Sequence, residues 1–417
     1  MRKIFSAAVI FGCIIYAAGC SKTIKEQPAN AASEEDGTSA GFKNPYGVLV
    51  SESNGFVLKP AEAASLARDL GVAYARISIT NVQWYNPTER IRFLNEYNSY
   101  AGGTPSIKLT VNVSWNNGQP GAVPYPGATP EYQAFIKNLT DTLVSGRYKR
   151  PAVIMIEDEE NNPEDHVLTT TADLQKYLDM LSFATTECHA KRLKIANGGL
   201  SSLAIHLLIW NYYENIKLDH ARAELFLSHA MPPATITLFK GGKFDDKKEV
   251  AIFFAAGYKN IPLDYVNMHW YEPVKLSYWR SPNRATDIDT TQLSAGVLES
   301  CFEYFNDPAN LGGKQLICNE AGQLTPANEL PQLLTCAMQA LPIVIWYSGD
   351  RQEVVSLRPY KQSALHTTIN GNPTSYSLRP NGIAFRDNIL NIRANPFVFC
   401  PPVIGSSFKP AAANPVK

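Results

Sequence analysis

The sequence predicts an α/β chain folded as a (β/α)8 barrel, a TIM barrel, over residues 42–400. Two observations predict it. Eight short, almost wholly apolar runs alternate with amphipathic stretches over about 350 residues, as a parallel sheet buried on both faces requires. The first run is also not followed by a Gly-rich phosphate loop. Val50-Ser51-Glu52-Ser53-Asn54-Gly55 lacks that spacing, which disfavours an open, doubly wound sheet. The chain has 417 residues, 45% of them apolar, enough for one large core.

In order, the expected strands are Tyr46 to Val50, Ala73 to Ile79, Ile107 to Val113, Val153 to Glu159, Leu193 to Asn197, Tyr265 to His269, Gln315 to Asn319 and Pro342 to Trp346. Helical patterns fill the gaps. Pro60 to Leu70 is Ala-rich and stops at Gly71. Pro87 to Tyr100 follows Asn86, an expected N-cap with proline in the first turn. Thr129-Pro130-Glu131 opens a helix towards Leu143, and Thr171 to Ala190 follows the fourth strand. Leu203 to Asn215, Lys248 to Tyr258, Thr290 to Phe305, Glu329 to Leu341 and Ile383 to Leu390 complete the set. The longest insertion, residues 200–262, is expected to add helices.

Residues 1–19 are expected to be an export signal. Arg2 and Lys3 precede the apolar run Ile4 to Tyr16, which is too short to span a bilayer, and Ala17-Ala18-Gly19-Cys20 follows. The site has the form of a bacterial lipobox, with cleavage before a lipid-modified, palmitate-bearing Cys20. Residues 20–41 are small and polar and are read as a flexible tether, and residues 401–417 as a tail. The expected place is the cell envelope, anchored by lipid to the outer membrane of a Gram-negative bacterium. Balanced charge, 38 basic against 38 acidic side chains, argues against a nucleic-acid partner. Five scattered cysteines beyond Cys20 show no metal or disulfide framework, and the histidines have no metal-ligand spacing. No cofactor or metal is expected, and Gly-x-Ser-x-Gly is absent.

In a barrel of this kind the reacting groups sit where the strands end. Strand two ends with Arg76 and Ser78, and strand three with Asn112. Strand four ends with Asp158 and Glu159, strand six with His269, Trp270 and Tyr271, strand seven with Asn319 and Glu320, and strand eight with Trp346. Glu160 is the rival to Glu159, but strand alternation would aim it at the opposite face. Two carboxyl groups at one rim are the usual equipment for cutting a glycosidic bond, and about 5 to 5.5 Å between them gives retention.

This pattern resembles the clan A glycoside hydrolases, such as families 5 and 39. Their acid/base Glu closes strand four after an Asn, and their nucleophile Glu closes strand seven. Asp158-Glu159 and Glu320-Ala321-Gly322 stand in those places. The clan's His-x-Tyr on strand six, Trp on strand eight and Arg on strand two are matched by His269 and Tyr271, Trp346 and Arg76. The resemblance implies a carbohydrate partner and retaining cleavage of a β-linked oligo- or polysaccharide, with Glu320 as nucleophile and Glu159 as acid/base. It also implies sugar contacts from Arg76, Asn112, Asp158, His269, Tyr271 and Trp346, with Tyr271 orienting Glu320 and Trp346 flooring the subsite. Two departures stand out: Asp158 replaces the usual Asn, and the His after strand three in family 5 is missing. An ionised Asp only accepts hydrogen bonds, which leaves an inactive glycan-binding barrel, or a barrel enzyme of other chemistry, as alternatives.

Overall fold

The computed structural model describes residues 43–50, 58–116, 118, 121–231, 233–271, 295–322, 341–348, 364–369 and 372–394. Eight parallel strands close into a barrel in sequence order: β1 (Tyr46–Leu49), β2 (Tyr74–Thr80), β3 (Lys108–Ser114), β4 (Val153–Ile156), β5 (Ile195–Asn197), β6 (Tyr265–Tyr271), β7 (Gln315–Gly322) and β8 (Val344–Tyr347). The ring closes where β1 pairs with β8, with Tyr46 opposite Val344 and Leu49 opposite Tyr347.

The helices expected within the described residues are found with boundaries shifted by a few residues, and the structure adds short ones such as Asn81–Tyr85. They are α1 (Pro60–Asp69), α2 (Asn81–Tyr85), α3 (Pro87–Ala101), α4 (Pro130–Val144) and α5 (Thr171–Ala190). Asn86 caps α3 by accepting from the backbone N–H of Thr88 and Glu89. The insertion after β5 holds α6 (Ser202–Asn211), a π-helical turn (Tyr212–Ile216), α7 (His220–Ala230), α8 (Pro233–Lys240) and α9 (Asp245–Asn260). After β6 come α10 (Ala295–Asn306) and α11 (Pro308–Leu311); a small hairpin of β9 (His366–Thr368) and β10 (Tyr376–Leu378) precedes α12 (Pro380–Ala394). The expected helix from Glu329 lies outside the described residues except for Leu341.

Alternation along the strands sorts side chains into two layers. Val266, Met268 and Trp270 of β6 face the shell between barrel and helices. Leu49, Val153, Met155, Ile317 and Ile345 pack in the barrel interior. Near the C-terminal ends of the strands the interior turns polar, and that is where the site lies.

Two expectations about strand ends are corrected here. Strand four stops at Ile156 rather than running to Glu159. In β8 the inward residues are Ile345 and Tyr347; Trp346 lies between them, 1% exposed, with its ring 5.8 Å from Phe385 of α12. Trp346 therefore packs in the helix shell and cannot floor a subsite, because alternation aims it away from the interior.

Candidate active site

The position of Glu320 depends on an irregularity in β7. Met268 pairs with Cys318 and the next residue, His269, pairs with Glu320, so Asn319 is an extra residue. A bulge of this kind breaks alternation. Asn319 and Glu320 consequently both turn into the barrel, where regular pleating would send one of them outward. Arg76 of β2 donates from Nη1 to Glu320 Oε2 at 2.5 Å, and Tyr271 donates from its hydroxyl to Oε1 at 2.5 Å. Both oxygens of Glu320 are thus held, while 15% of its side chain stays open to the mouth.

The second acidic segment is a turn. Beyond Ile156, Glu157 and Glu159 take φ of 72° and 46°, in the left-handed region. For side-chain-bearing residues that conformation costs about 1–3 kcal/mol each and persists only where its surroundings enforce it. The turn splits four consecutive acids into two pairs. Glu157 and Glu160 are buried, whereas the side chains of Asp158 and Glu159 are 48% and 27% exposed. Glu157 Oε1 accepts the Trp115 backbone N–H at 2.8 Å, and burial pushes its carboxyl up to about 8 against that bond. Glu160 Oε1 accepts from Asn197 Nδ2 at 2.8 Å and from the Tyr258 hydroxyl; burial raises its pKa as well. Glu160 is therefore withheld from the site by its buried partners, since the turn leaves no strand alternation to act on it.

Arg76 and His269 link the two segments. Arg76, itself fully buried, donates from Nη2 to Asp158 Oδ1 at 2.6 Å while its other arm holds Glu320. Burial opposes the charge on Asp158, but Arg76 and then His269 outweigh it and hold the carboxyl below the usual range. His269 Nδ1 stands 3.2 Å from Glu159 Oε1, and its Nε2 is 3.6 Å from Asp158 Oδ1. The ring fits only because of Gly199, whose φ is +131°; a Cβ there would lie 2.4 Å from the imidazole.

Burial works against the His269 imidazolium, yet Glu320, Glu159 and Asp158 together raise its pKa from 6.5 to about 9. The sign for stability follows. The folded state holds this proton more tightly than the unfolded chain, so the contribution is complete below about pH 6.5 and is lost as pH rises through 9. Urea unfolding of wild type is expected to weaken over that interval by up to roughly 3 kcal/mol more than His269→Gln does. Parallel curves for the two proteins would remove the imidazolium from this account.

The structure brings together Arg76, Asp158, Glu159, His269, Tyr271 and Glu320. Trp346 and Asn112 are not at the mouth, and His269 and Arg76 are fully buried behind the carboxylates. Asn112 is buried beneath the rim, bonded to the Glu157 carbonyl and to Asn319 rather than offered to a ligand. That corrects its expected sugar contact; both its amide nitrogen and its amide oxygen are bonded within the protein. Sequence reasoning overlooked Asn197 and Asn267 and gave Asn319 no role, although a signal existed: β3, β5, β6 and β7 each carry an asparagine among apolar residues. Among the described residues, Asp158, His269 and Glu320 bring one possible metal-ligand atom each within 4.8 Å of one another. Arg76 places a cation against both of these carboxylates. Cys20 lies outside the described residues.

No protein-family model matches the chain, and no curated protein matches it significantly in sequence. Solved structures do match in fold. Fpglu1 from Fervidobacterium pennivoraus aligns with a TM-score of 0.51 at 11% identity, covering 86% of this chain and 98% of that one. A family 39 glycoside hydrolase from Bacteroides cellulosilyticus WH2 aligns at 0.46 and 13% identity, over 84% of this chain and 64% of its own. The catalytic domain of the GH30 xylanase C from Talaromyces cellulolyticus aligns at 0.43 and 11%, over 84% and 76%. Identities of this size speak for the fold alone: the chain is an eight-stranded parallel barrel.

Proposed function

We propose that the protein is a retaining glycoside hydrolase acting on a β-linked oligo- or polysaccharide. One observation carries this reading: Glu320, held at both oxygens by Arg76 and Tyr271 yet open to the mouth, faces a second acidic segment across the barrel. Glu320 attacks the anomeric carbon as the bond to the leaving oxygen breaks, and Glu159 passes its proton to that oxygen. Glu159 then takes a proton from water, which attacks the glycosyl-enzyme and frees Glu320. Asp158, held below the usual carboxylate range by Arg76, is a poor proton donor. The acid/base role therefore falls to Glu159, with His269 fixing its orientation. The fold shared with glycoside hydrolases agrees with the assignment.

Turnover of aryl β-glycosides by wild type, with retained configuration followed by NMR, is the first test. Glu159→Ala is expected to lose about 10²- to 10⁴-fold on substrates with poor leaving groups and far less on activated ones. An equal loss on both would assign the proton to another residue. Binding of glycans without any turnover would instead favour the inactive, glycan-binding barrel.

Export and lipid anchoring to a Gram-negative cell envelope complete the proposal. They are supported by Arg2, Lys3, the apolar run to Tyr16 and Ala17-Ala18-Gly19-Cys20. Palmitate labelling lost in Cys20→Ser is the expected result; unlabelled wild type would remove the anchor.

A further inference from the structure

Four asparagines form a continuous belt under the site. Asn112 of β3 donates from Nδ2 to the Glu157 carbonyl at 3.2 Å, and its Oδ1 accepts from Asn319 Nδ2 at 2.9 Å. Asn319 of β7 accepts at Oδ1 from Asn267 Nδ2 at 2.6 Å, and its backbone N–H donates to Asn267 Oδ1 at 3.0 Å. Asn267 of β6 also donates to the Gly198 carbonyl at 2.8 Å, while its own backbone N–H donates to Asn197 Oδ1 at 2.6 Å. Asn197 of β5 closes the belt with Nδ2 on Glu160 Oε1 at 2.8 Å and on the Asn267 carbonyl at 2.9 Å. All four are buried.

We infer that this belt positions the two catalytic carboxyl groups, tying the acidic turn at both of its ends to the bulge that carries Glu320. One end lands on Glu157 and the other on Glu160, the residues that flank Asp158 and Glu159. The middle holds the backbone of Asn319, next to Glu320. The inference rests on the proposed glycosidase reading for its catalytic meaning, and on geometry alone for the coupling of the two segments. It explains why amides stand here. Each side chain donates at one end and accepts at the other, and Asn197 and Asn267 use both amide hydrogens, so neither a carboxylate nor a hydroxyl could replace them. Buried amides are costly unless fully bonded, and once bonded they hold one arrangement. The left-handed backbone of Glu157 and Glu159 is thereby clamped from beneath, and the separation that decides between retention and inversion is fixed.

Asn112→Ala in the full-length protein tests the belt, because Asn112 touches neither catalytic carboxyl group. Leu139→Ala, on α4 and buried, is the control for lost stability. The expected result is a kcat lower by roughly 10- to 100-fold with KM changed less than about threefold. Asn112→Asp, which aims an acceptor at the Glu157 carbonyl, is expected to lose more. A raised KM at unchanged kcat would make Asn112 a sugar contact and overturn the inference. NMR titration of the His269 imidazole gives a second reading, since carboxylates of both segments face that ring. Its midpoint is expected to move towards 6.5 in Asn112→Ala and to stay in place in Leu139→Ala; no difference between the two overturns the belt. Should wild type hydrolyse no glycoside, the glycosidase reading fails, and the titration still decides the coupling by itself.

Discussion

Glu320→Ala is expected to lower kcat on aryl β-glycosides by on the order of 10⁴-fold or more, the scale seen when a covalent nucleophile is removed. No neighbour can take over. Asp158 is bonded to Arg76, and Glu157 and Glu160 are buried behind the turn. Removing the side chain opens space at the anomeric carbon on the face opposite the leaving group. Azide should enter there and restore turnover as a glycosyl azide of inverted configuration. In Glu159→Ala the nucleophile remains, so azide should give the retained product. Folding should change little, because of the two partners Glu320 leaves, Arg76 keeps a second carboxylate and Tyr271 loses one hydroxyl bond. A variant that keeps more than about a tenth of wild-type kcat would transfer the nucleophile's role away from Glu320.

Arg76→Met is expected to damage both stability and catalysis. Arg76 is the buried cation between two carboxylates, 2.5 Å from Glu320 and 2.6 Å from Asp158. Without it, two like charges remain with oxygens inside a 4.8 Å group and only His269 to balance them. Breaking a buried pair typically costs 3–5 kcal/mol, and since Asp158 is half exposed, about 2–4 kcal/mol is expected in urea unfolding. Losing the donor to Glu320 should lower kcat by about 10²- to 10³-fold, the scale of one oriented electrostatic contact. Adding Asp158→Asn removes the repulsion and should return part of the stability while kcat stays low, a coupling that a double-mutant cycle measures. If Arg76→Met unfolds like wild type, the guanidinium is not what holds the two segments together.

Much of this architecture is legible in the chain. Strand positions follow from eight apolar runs, because strands covered on both faces cannot alternate with polar residues. His269, Tyr271 and Glu320 could be picked out as polar groups at the ends of such runs, and Arg76 as a charge inside one, where burial without purpose would be costly. The errors lie in parity and in depth along the strands. Trp346 was expected to close strand eight, yet β8 runs on to Tyr347, and parity gives the inward place to Tyr347. Asn112, expected at the rim, lies one level lower, with its amide already bonded.

The sequence by itself determined the barrel and the two acidic segments, since periodicity and strand-end chemistry are local properties of the chain. Only the tertiary structure decided which acids face the mouth. That choice depends on a bulge set by pairing of β7 with β6, and on a left-handed turn stabilised from below by asparagines on four separate strands. The bulge leaves no local mark and the strand asparagines gain their meaning only together, because they are joined by hydrogen bonds between residues as far apart in sequence as Asn112 and Asn319.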